Sequence, residues 1–430
     1  MDAFCDSQEL PHPTESNAID PRLAKALLDT RQIKSILDAA QNRSQTRQKL
    51  ADIQAATASV ELLPFLSRTI RNSPFEFDLD SYPDYLAQQP DGIDVVSYGS
   101  TFTLPGSGET VSFSDYPSLG AIPTIDKTGL DFLNSGISHA CACVGSFTPE
   151  SNSIKMHWLG KQALTPVEFL SSTKIIGLLN TISLLNAAHP QCDVDNCVIG
   201  FTGRNKRVGF PALVADMFTY ENRIASSNQI GAMFKRFSTR QELEDWTQFI
   251  TGNQALTFKG YYGDGPFIAN PIIFDTTLPG DRRILSAAPE VGFGPNSVSA
   301  YDLVRLISML GWHLHLPEAA RLPAAQWISL ESVVRGMGLD AARYVDIALE
   351  TLGLLNVVTQ SVVISKLGYG NSALTYVALV RLVDRRPTPN KLRTLAMALW
   401  ADAGDRNTRD VNMAAAVTEI MRRIFTEELA

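Results

Sequence analysis

Long apolar runs are missing from this 430-residue sequence: no uninterrupted stretch approaches the roughly 20 residues that span a bilayer as a helix. No membrane partner is therefore expected. Positive charge is also scarce. Lys and Arg number 37 against 45 Asp and Glu, the formal net charge is -8, and no Lys/Arg-rich block occurs. The electrostatic footprint of a nucleic-acid or anionic-membrane binder is thus absent. Cysteine is sparse and odd in number, five in all, which does not suggest a disulfide framework in a chain this long. The N-terminal "MDAFCDSQELPHPTESN" has an acidic residue after its Met and no apolar h-region. Cytoplasmic residence is expected, or a periplasmic or secreted one if that end is a processed one. No internal repeat is found.

Metal ligands are equally thin. Cys141 and Cys143 in "HACACVG" alternate as same-face strand residues, and Cys192 and Cys197 in "CDVDNC" flank a polar turn. A metal would need both pairs to converge, so buried or free thiols are expected instead. His313 and His315 in "WHLHLP" share one face of a strand-like stretch but have no third spaced ligand, and a structural role is expected. Neither a metal nor a cofactor is implied.

What is present is an ordinary globular composition, 45% hydrophobic and 19% charged, able to bury a substantial core in one or two domains. Residues 20 to 72 read as helices from apolar spacing of three and four. "STFTLPGSGETVSF" alternates around a Gly-Ser-Gly turn as a β-hairpin does. Residues 1–126 thus form an N-terminal α/β extension. From 127 the pattern changes: "TGLDFLNSG" reads as a short helix, "ISHACACVGSFTP" and "SNSIKMHWLG" as paired strands, and "TPVEFLSSTKIIGLLNTISLLNAA" as a long apolar helix. A mainly helical lobe follows at about 175–355, interrupted by the loop "GYYGDGPFIANPIIFDTTLPGDRR". Strands return in "NVVTQSVVISKLGYG" and "SALTYVALVRLVD". The outline of 127–430 is a two-lobed α+β unit, an antiparallel sheet flanked by helices plus a helical lobe, with a cleft between.

The chemistry centres on "VEFLSSTKIIGLLN", where Ser171 precedes Lys174 by three residues at the start of an apolar run, the one Ser-x-x-Lys in the chain. On a helix the two share a face, so the amine can reach the hydroxyl. Burial and a second cation nearby would lower the Lys174 pKa, and a neutral amine can take the serine proton. The plainer alternative is that Ser171 or Ser172 starts or caps the helix while Lys174 snorkels to solvent. Ser172 has the wrong spacing to Lys174 and reads as a bystander.

Downstream, "YENRIASSNQIGAMF" places Ser226 and Asn228 as Ser-x-Asn before an apolar helix, and "SVVISKLGYG" places Lys366 and Gly368 at the end of a β-branched strand. Ser-x-x-Lys, Ser-x-Asn and Lys-x-Gly, in that order and on those elements, resemble the serine β-lactamase and penicillin-binding protein (DD-peptidase) superfamily. The resemblance covers about 130 to 430. It implies a β-lactamase/transpeptidase-like fold with Ser171 as acylated nucleophile, Lys174 as its base and Ser226 as proton relay to the leaving group. Asn228 would bind the substrate amide, and Lys366 would lower the Lys174 pKa and attract an anionic group. The backbone N–H groups of Ser171 and Tyr369 would form the oxyanion hole, and Gly368 would let substrate approach the strand edge.

Two rivals stand beside these motifs: a literal Lys-Thr-Gly at Lys127, Thr128 and Gly129, and a Tyr-x-Asn at Tyr220 and Asn222. Position favours Lys366 over the first, and the helix that follows favours Ser226 over the second. The sequence also departs from the family. Leu367 replaces the usual Thr or Ser, and no Glu-x-x-Leu-Asn supplies a deacylating base. Asp264, Asp275 and Asp281 are possible substitutes for which a turn role is the simpler reading.

The expectation is a serine hydrolase or acyl-transfer enzyme acting on an ester or amide, β-lactam or peptide-like substrates included. The alternatives are an impaired binding or sensor protein of the same fold that acylates without efficient turnover, and an unrelated α+β protein in which the motifs coincide. The partner expected is a small-molecule or peptide-like substrate, with room for an anionic group near Lys366; the oligomeric state is open.

Overall fold

The computed structural model describes residues 48–50, 69–148, 151–201, 207–278, 280 and 282–429. The helical reading of 20 to 72 therefore lies outside the described residues, apart from a helical 48–50 and a short turn of 3-10 helix at Ile70–Asn72.

Helix α1 is Tyr82–Ala87, followed by strands β1 (Val95–Val96), β2 (Thr101–Thr103), β3 (Thr110–Ser112) and β4 (Ser114–Asp115). The long strands β5 (Ile137–Thr148) and β6 (Ser151–Lys161) come next, then helix α2 (Lys174–Ala188). The middle of the chain carries β7 (Cys197–Gly200), β8 (Val208–Gly209), α3 (Phe210–Thr219), α4 (Ser227–Phe234) and α5 (Arg240–Thr251). After these come β9 (Thr257–Phe258), β10 (Ile272–Asp275), β11 (Arg282–Ser286), β12 (Asn296–Ser297), α6 (Ala300–Gly311), α7 (Trp327–Gly338) and α8 (Tyr344–Thr351). Strands β13 (Val358–Tyr369), β14 (Leu374–Asp384) and β15 (Asn390–Ala401) and helix α9 (Arg406–Phe425) close the chain.

The architecture is α+β. The main sheet runs β13-β14-β15-β5-β6-β4, antiparallel throughout that path, with β1 added in parallel to β15. Its long strands are apolar on both faces, because helices cover both; every residue of β14 is buried. Period-two alternation then sorts each strand between two cores. On β5, Cys141 and Cys143 face the core shared with α2 and α6, whereas Ala140, Ala142 and Val144 face the core under α8 and α9. Helix α6 lies so close to the sheet that a side chain at Gly311 would come within 2.4 Å of Leu379.

The β2–β3 hairpin and the β5–β6 pair form as expected from alternation. Strands β1 and β4, from the N-terminal segment, extend the main sheet rather than standing apart from it.

Three expectations are corrected. "TGLDFLNSG" forms successive turns, not a helix: Asp126 Oδ1 accepts from Thr128 N and Asn134 Oδ1 from Gly136 N, side-chain bonds that compete with helix propagation. "WHLHLP" is a 3-10 turn at His313–His315, not a strand. There His315 Nε2 meets the Leu86 carbonyl at 2.7 Å and His313 stacks on Trp327. The loop after α5 is not all loop, since β10 pairs with β7 and β11 and builds a four-stranded sheet, β11-β10-β7-β8, within the helical lobe. Its apolar "PIIF" is too short for a helix but long enough for one strand.

Candidate active site

Ser171 does not sit inside α2. It lies in a 3-10 turn, Leu170–Thr173, which runs straight into α2 at Lys174. Leu170, just before it, has a left-handed φ of 50°, a strained conformation for a branched side chain that only surrounding structure can hold. That structure comes from Ser172, which is fully buried while Ser171 is half-buried. The Ser172 hydroxyl donates to the Lys366 carbonyl at 2.9 Å and meets Thr375 Oγ1 at 2.9 Å; Thr375 in turn donates to the Phe169 carbonyl. Ser172, a bystander by spacing, therefore ties the serine turn to β13 and β14.

Gly368 sits where this turn meets β13. A Cβ there would lie 2.1 Å from Thr375 Oγ1, 2.8 Å from the Phe169 carbonyl oxygen and 3.0 Å from the Ser172 nitrogen. Two of these are backbone atoms and cannot step aside. Gly368→Ala is expected to lower stability by about 1–3 kcal/mol, read in a denaturant melt; unchanged stability would show that turn and strand are not in this contact.

Lys174 is buried, with 1% of its surface exposed. Its Nζ donates to Asn228 Oδ1 at 2.7 Å and Ser227 Oγ at 3.0 Å. Ser171 is not among these partners. Room for the Lys174 stem comes from Gly231 on α4, where a Cβ would fall 2.9 Å from Lys174 Cγ. Burial holds the Lys174 pKa well below the ordinary lysine value, and the charge of Lys366 lowers it further against an opposing pull from Asp264.

The second motif sits on the loop between α3 and α4. Asp216, buried near the end of α3, accepts from the backbone N–H groups of Arg223, Ile224 and Ala225 and so holds that loop. Ser226 is the N-cap of α4, in a reciprocal capping box with Gln229. Its hydroxyl donates to Asp264 Oδ2 at 3.0 Å. The hydroxyl that reaches Lys174 is that of Ser227, which itself donates to the Met217 carbonyl at 2.7 Å.

Lys366 is fully buried. Its Nζ donates to the Tyr220 hydroxyl and to the Leu367 carbonyl, and Tyr220 donates to that carbonyl at 2.8 Å. Burial pulls the Lys366 pKa down to about 8, with the nearby Asp340 carboxylate opposing the fall. Burial also raises the Tyr220 pKa well above the usual phenol value, so its O–H stays protonated.

Ser171, Ser226, Ser227, Asn228, Leu367 and Tyr369 line one cleft of about 680 Å³, together with Tyr220, Asn222 and the small residues Thr69, Thr219 and Ala341. Both the Ser-x-Asn and Tyr-x-Asn stretches thus meet Ser171, since the left-handed Tyr220 and Asn222 open the same loop. Lys127 is exposed beside β6 and Lys127–Gly129 does not line the cleft. Asp275 accepts from the N–H and hydroxyl of Thr277, as a turn residue does. Asp281 lies outside the described residues.

Ser227, Asp216 and Asp340 were not singled out from sequence. Only Ser227 carried a signal, adjacency to Ser226. Among the described residues no group of three or more His, Cys, Asp or Glu converges as a metal site, and no helix is long and apolar enough to cross a membrane.

No protein-family model and no curated protein matches this sequence. Solved structures do. A mutant of the class A β-lactamase of the last common ancestor of Gram-negative bacteria is 13% identical with a TM-score of 0.42, over 68% of this chain and 94% of that one. A β-lactamase from Sphaerobacter thermophilus is 12% identical with a TM-score of 0.40, over 67% and 91%. A β-lactamase from Xanthomonas campestris pv. campestris is similar at 11% identity and a TM-score of 0.39, over 66% of this chain and 91% of its own.

Proposed function

We propose that the protein is a serine hydrolase or acyl-transfer enzyme with a β-lactamase-like core, working through an acyl-enzyme on Ser171. The observation that carries this reading is the Lys174 amine. It is buried, its pKa is depressed, and it belongs to the residue that begins α2 directly after the Ser171 turn. A neutral amine has two N–H bonds and one lone pair. The two N–H bonds are accounted for by Ser227 and Asn228, which leaves the lone pair as acceptor for the Ser171 proton, directly or through one water.

In the acylation step the Ser171 oxygen bonds the substrate carbonyl carbon and its proton passes to Lys174. The oxyanion is held by the N–H groups of Ser171 and Tyr369. When the tetrahedral intermediate collapses, the bond to the leaving group breaks and Lys174 returns the proton to that group, with Ser227, the hydroxyl in contact with the amine, as relay in place of Ser226. Deacylation needs water or an acceptor alcohol or amine in place of the leaving group, and the carboxylate assigned to activate it in this reading is Asp264, which accepts from Ser226 at the cleft wall.

Intact-mass spectrometry after exposure to a fluorophosphonate tests this. One adduct per chain, on Ser171 and absent from Ser171→Ala, is the expected result; an unlabelled native protein would sink the proposal.

A further inference from the structure

Resting on the reading of Ser171 as the acylated residue, we infer that the cleft takes an uncharged acyl group with an apolar body, and that it discriminates against a carboxylate near the scissile bond. The motif resemblance leads to the opposite expectation, an anion drawn in by Lys366. Three observations on the cleft carry the inference.

The first is that the described lining residues present no cation. None of the described residues lining the cleft bears a charge. Lys366 is fully buried behind the Tyr220 hydroxyl and the Leu367 carbonyl, which take two of its N–H bonds. Its charge is opposed by the buried Asp340 carboxylate. Lys174 is equally enclosed, and its hydrogens are spent on Ser227 and Asn228.

The second is that the position after Lys366 holds Leu367, which lines the cleft without a hydroxyl to hold a carboxylate. An anion brought here would shed its water and meet no cationic side chain among the described lining residues, an unfavourable exchange.

The third is the charge around the rim. Asp264 stands behind Ser226. Arg223 and Arg71 are turned to Glu221, at 2.6 and 3.8 Å. Arg409 donates to the Gly370 and Asn371 carbonyls. Arg406, exposed and stacked on the Tyr369 ring at 4.9 Å, is a rim cation that touches a lining residue, and the test must include it. Beside its hydroxyl and amide groups, the cleft offers apolar surface from Tyr220, Ala341 and Tyr369.

The test compares p-nitrophenyl pentanoate with mono-p-nitrophenyl glutarate, which differ only in a terminal methyl against a terminal carboxylate. Spontaneous hydrolysis, faster for the glutarate because of its own carboxylate, is subtracted. The neutral ester is expected to show at least about tenfold higher kcat/KM, and Arg406→Gln is expected to leave the ratio unchanged. Penicillin, with a carboxylate beside its reactive amide, is expected to give no Ser171 adduct where a neutral fluorophosphonate does. Equal or reversed ester preference, a selective loss of glutarate turnover in Arg406→Gln, or a penicillin adduct would each overturn the inference while Ser171 labelling stands. If neither ester turns over and the fluorophosphonate does not label Ser171, the acyl-enzyme reading fails and the inference with it.

Discussion

Replacing Ser171 by alanine is expected to lower kcat/KM for an activated ester by about three to four orders of magnitude while leaving stability nearly unchanged. The two halves of that result have one cause. The Ser171 side chain is half-buried at the cleft wall, on a turn whose shape is set by other groups. Its loss removes the oxygen that attacks in the proposed acylation step, and little else. Its neighbour provides the contrast. Ser172→Ala deletes bonds to the Lys366 carbonyl and Thr375 inside the core, and is expected to cost about 1–3 kcal/mol with only an indirect effect on rate. Ester turnover and denaturant melts on both variants separate the roles. If Ser172→Ala abolishes acylation and Ser171→Ala does not, the nucleophile has been assigned to the wrong serine.

Lys174→Met is expected to reduce acylation by about two to four orders of magnitude and, unlike most core changes, to raise stability at neutral pH by on the order of 1 kcal/mol. The sign follows from linkage. The folded-state pKa of Lys174 lies well below its unfolded value, so between the two the unfolded chain binds one more proton than the native one. That burden falls as pH rises toward the unfolded pKa and is fully felt below the folded pKa. Methionine fills the space without it.

The same charge logic predicts the pH profile. Acylation needs the neutral amine, so its rate rises with pH through the depressed Lys174 pKa. Lys366 helps to hold that pKa down; Lys366→Met removes the like charge, lets the Lys174 pKa rise and moves the acidic limb to higher pH. A limb that stays in place, or a Lys174→Met variant with native acylation rate, would show that another group takes the Ser171 proton.

The fold was legible where periodicity is strong. The alternation of "ISHACACVGSFTP" and the β-branched "SVVISKLGYG" mark strands that exist, and the apolar run after Lys174 is a helix. It was illegible where side chains compete with the backbone, as at Asp126 and Asn134, or where a short apolar stretch such as "PIIF" takes its partner from residues far away in sequence.

For the candidate site, sequence alone determined the residue types, their order and the apolar helix that follows Ser171, whereas the 3-10 turn that holds Ser171 ahead of that helix is set by contacts with β13 and β14. Which serine of "ASSN" touches Lys174 was decided only by tertiary structure. Ser226 is taken up by the α4 cap and Asp264, and Ser227 is turned inward by the Met217 carbonyl. The state of Lys366 was decided in the same way. A lysine at the end of a strand reads as a cation offered to substrate, but burial, Tyr220 and Asp340 enclose it. A side chain's charge and reach depend on what surrounds it, and those neighbours come from segments that meet only when the chain has folded.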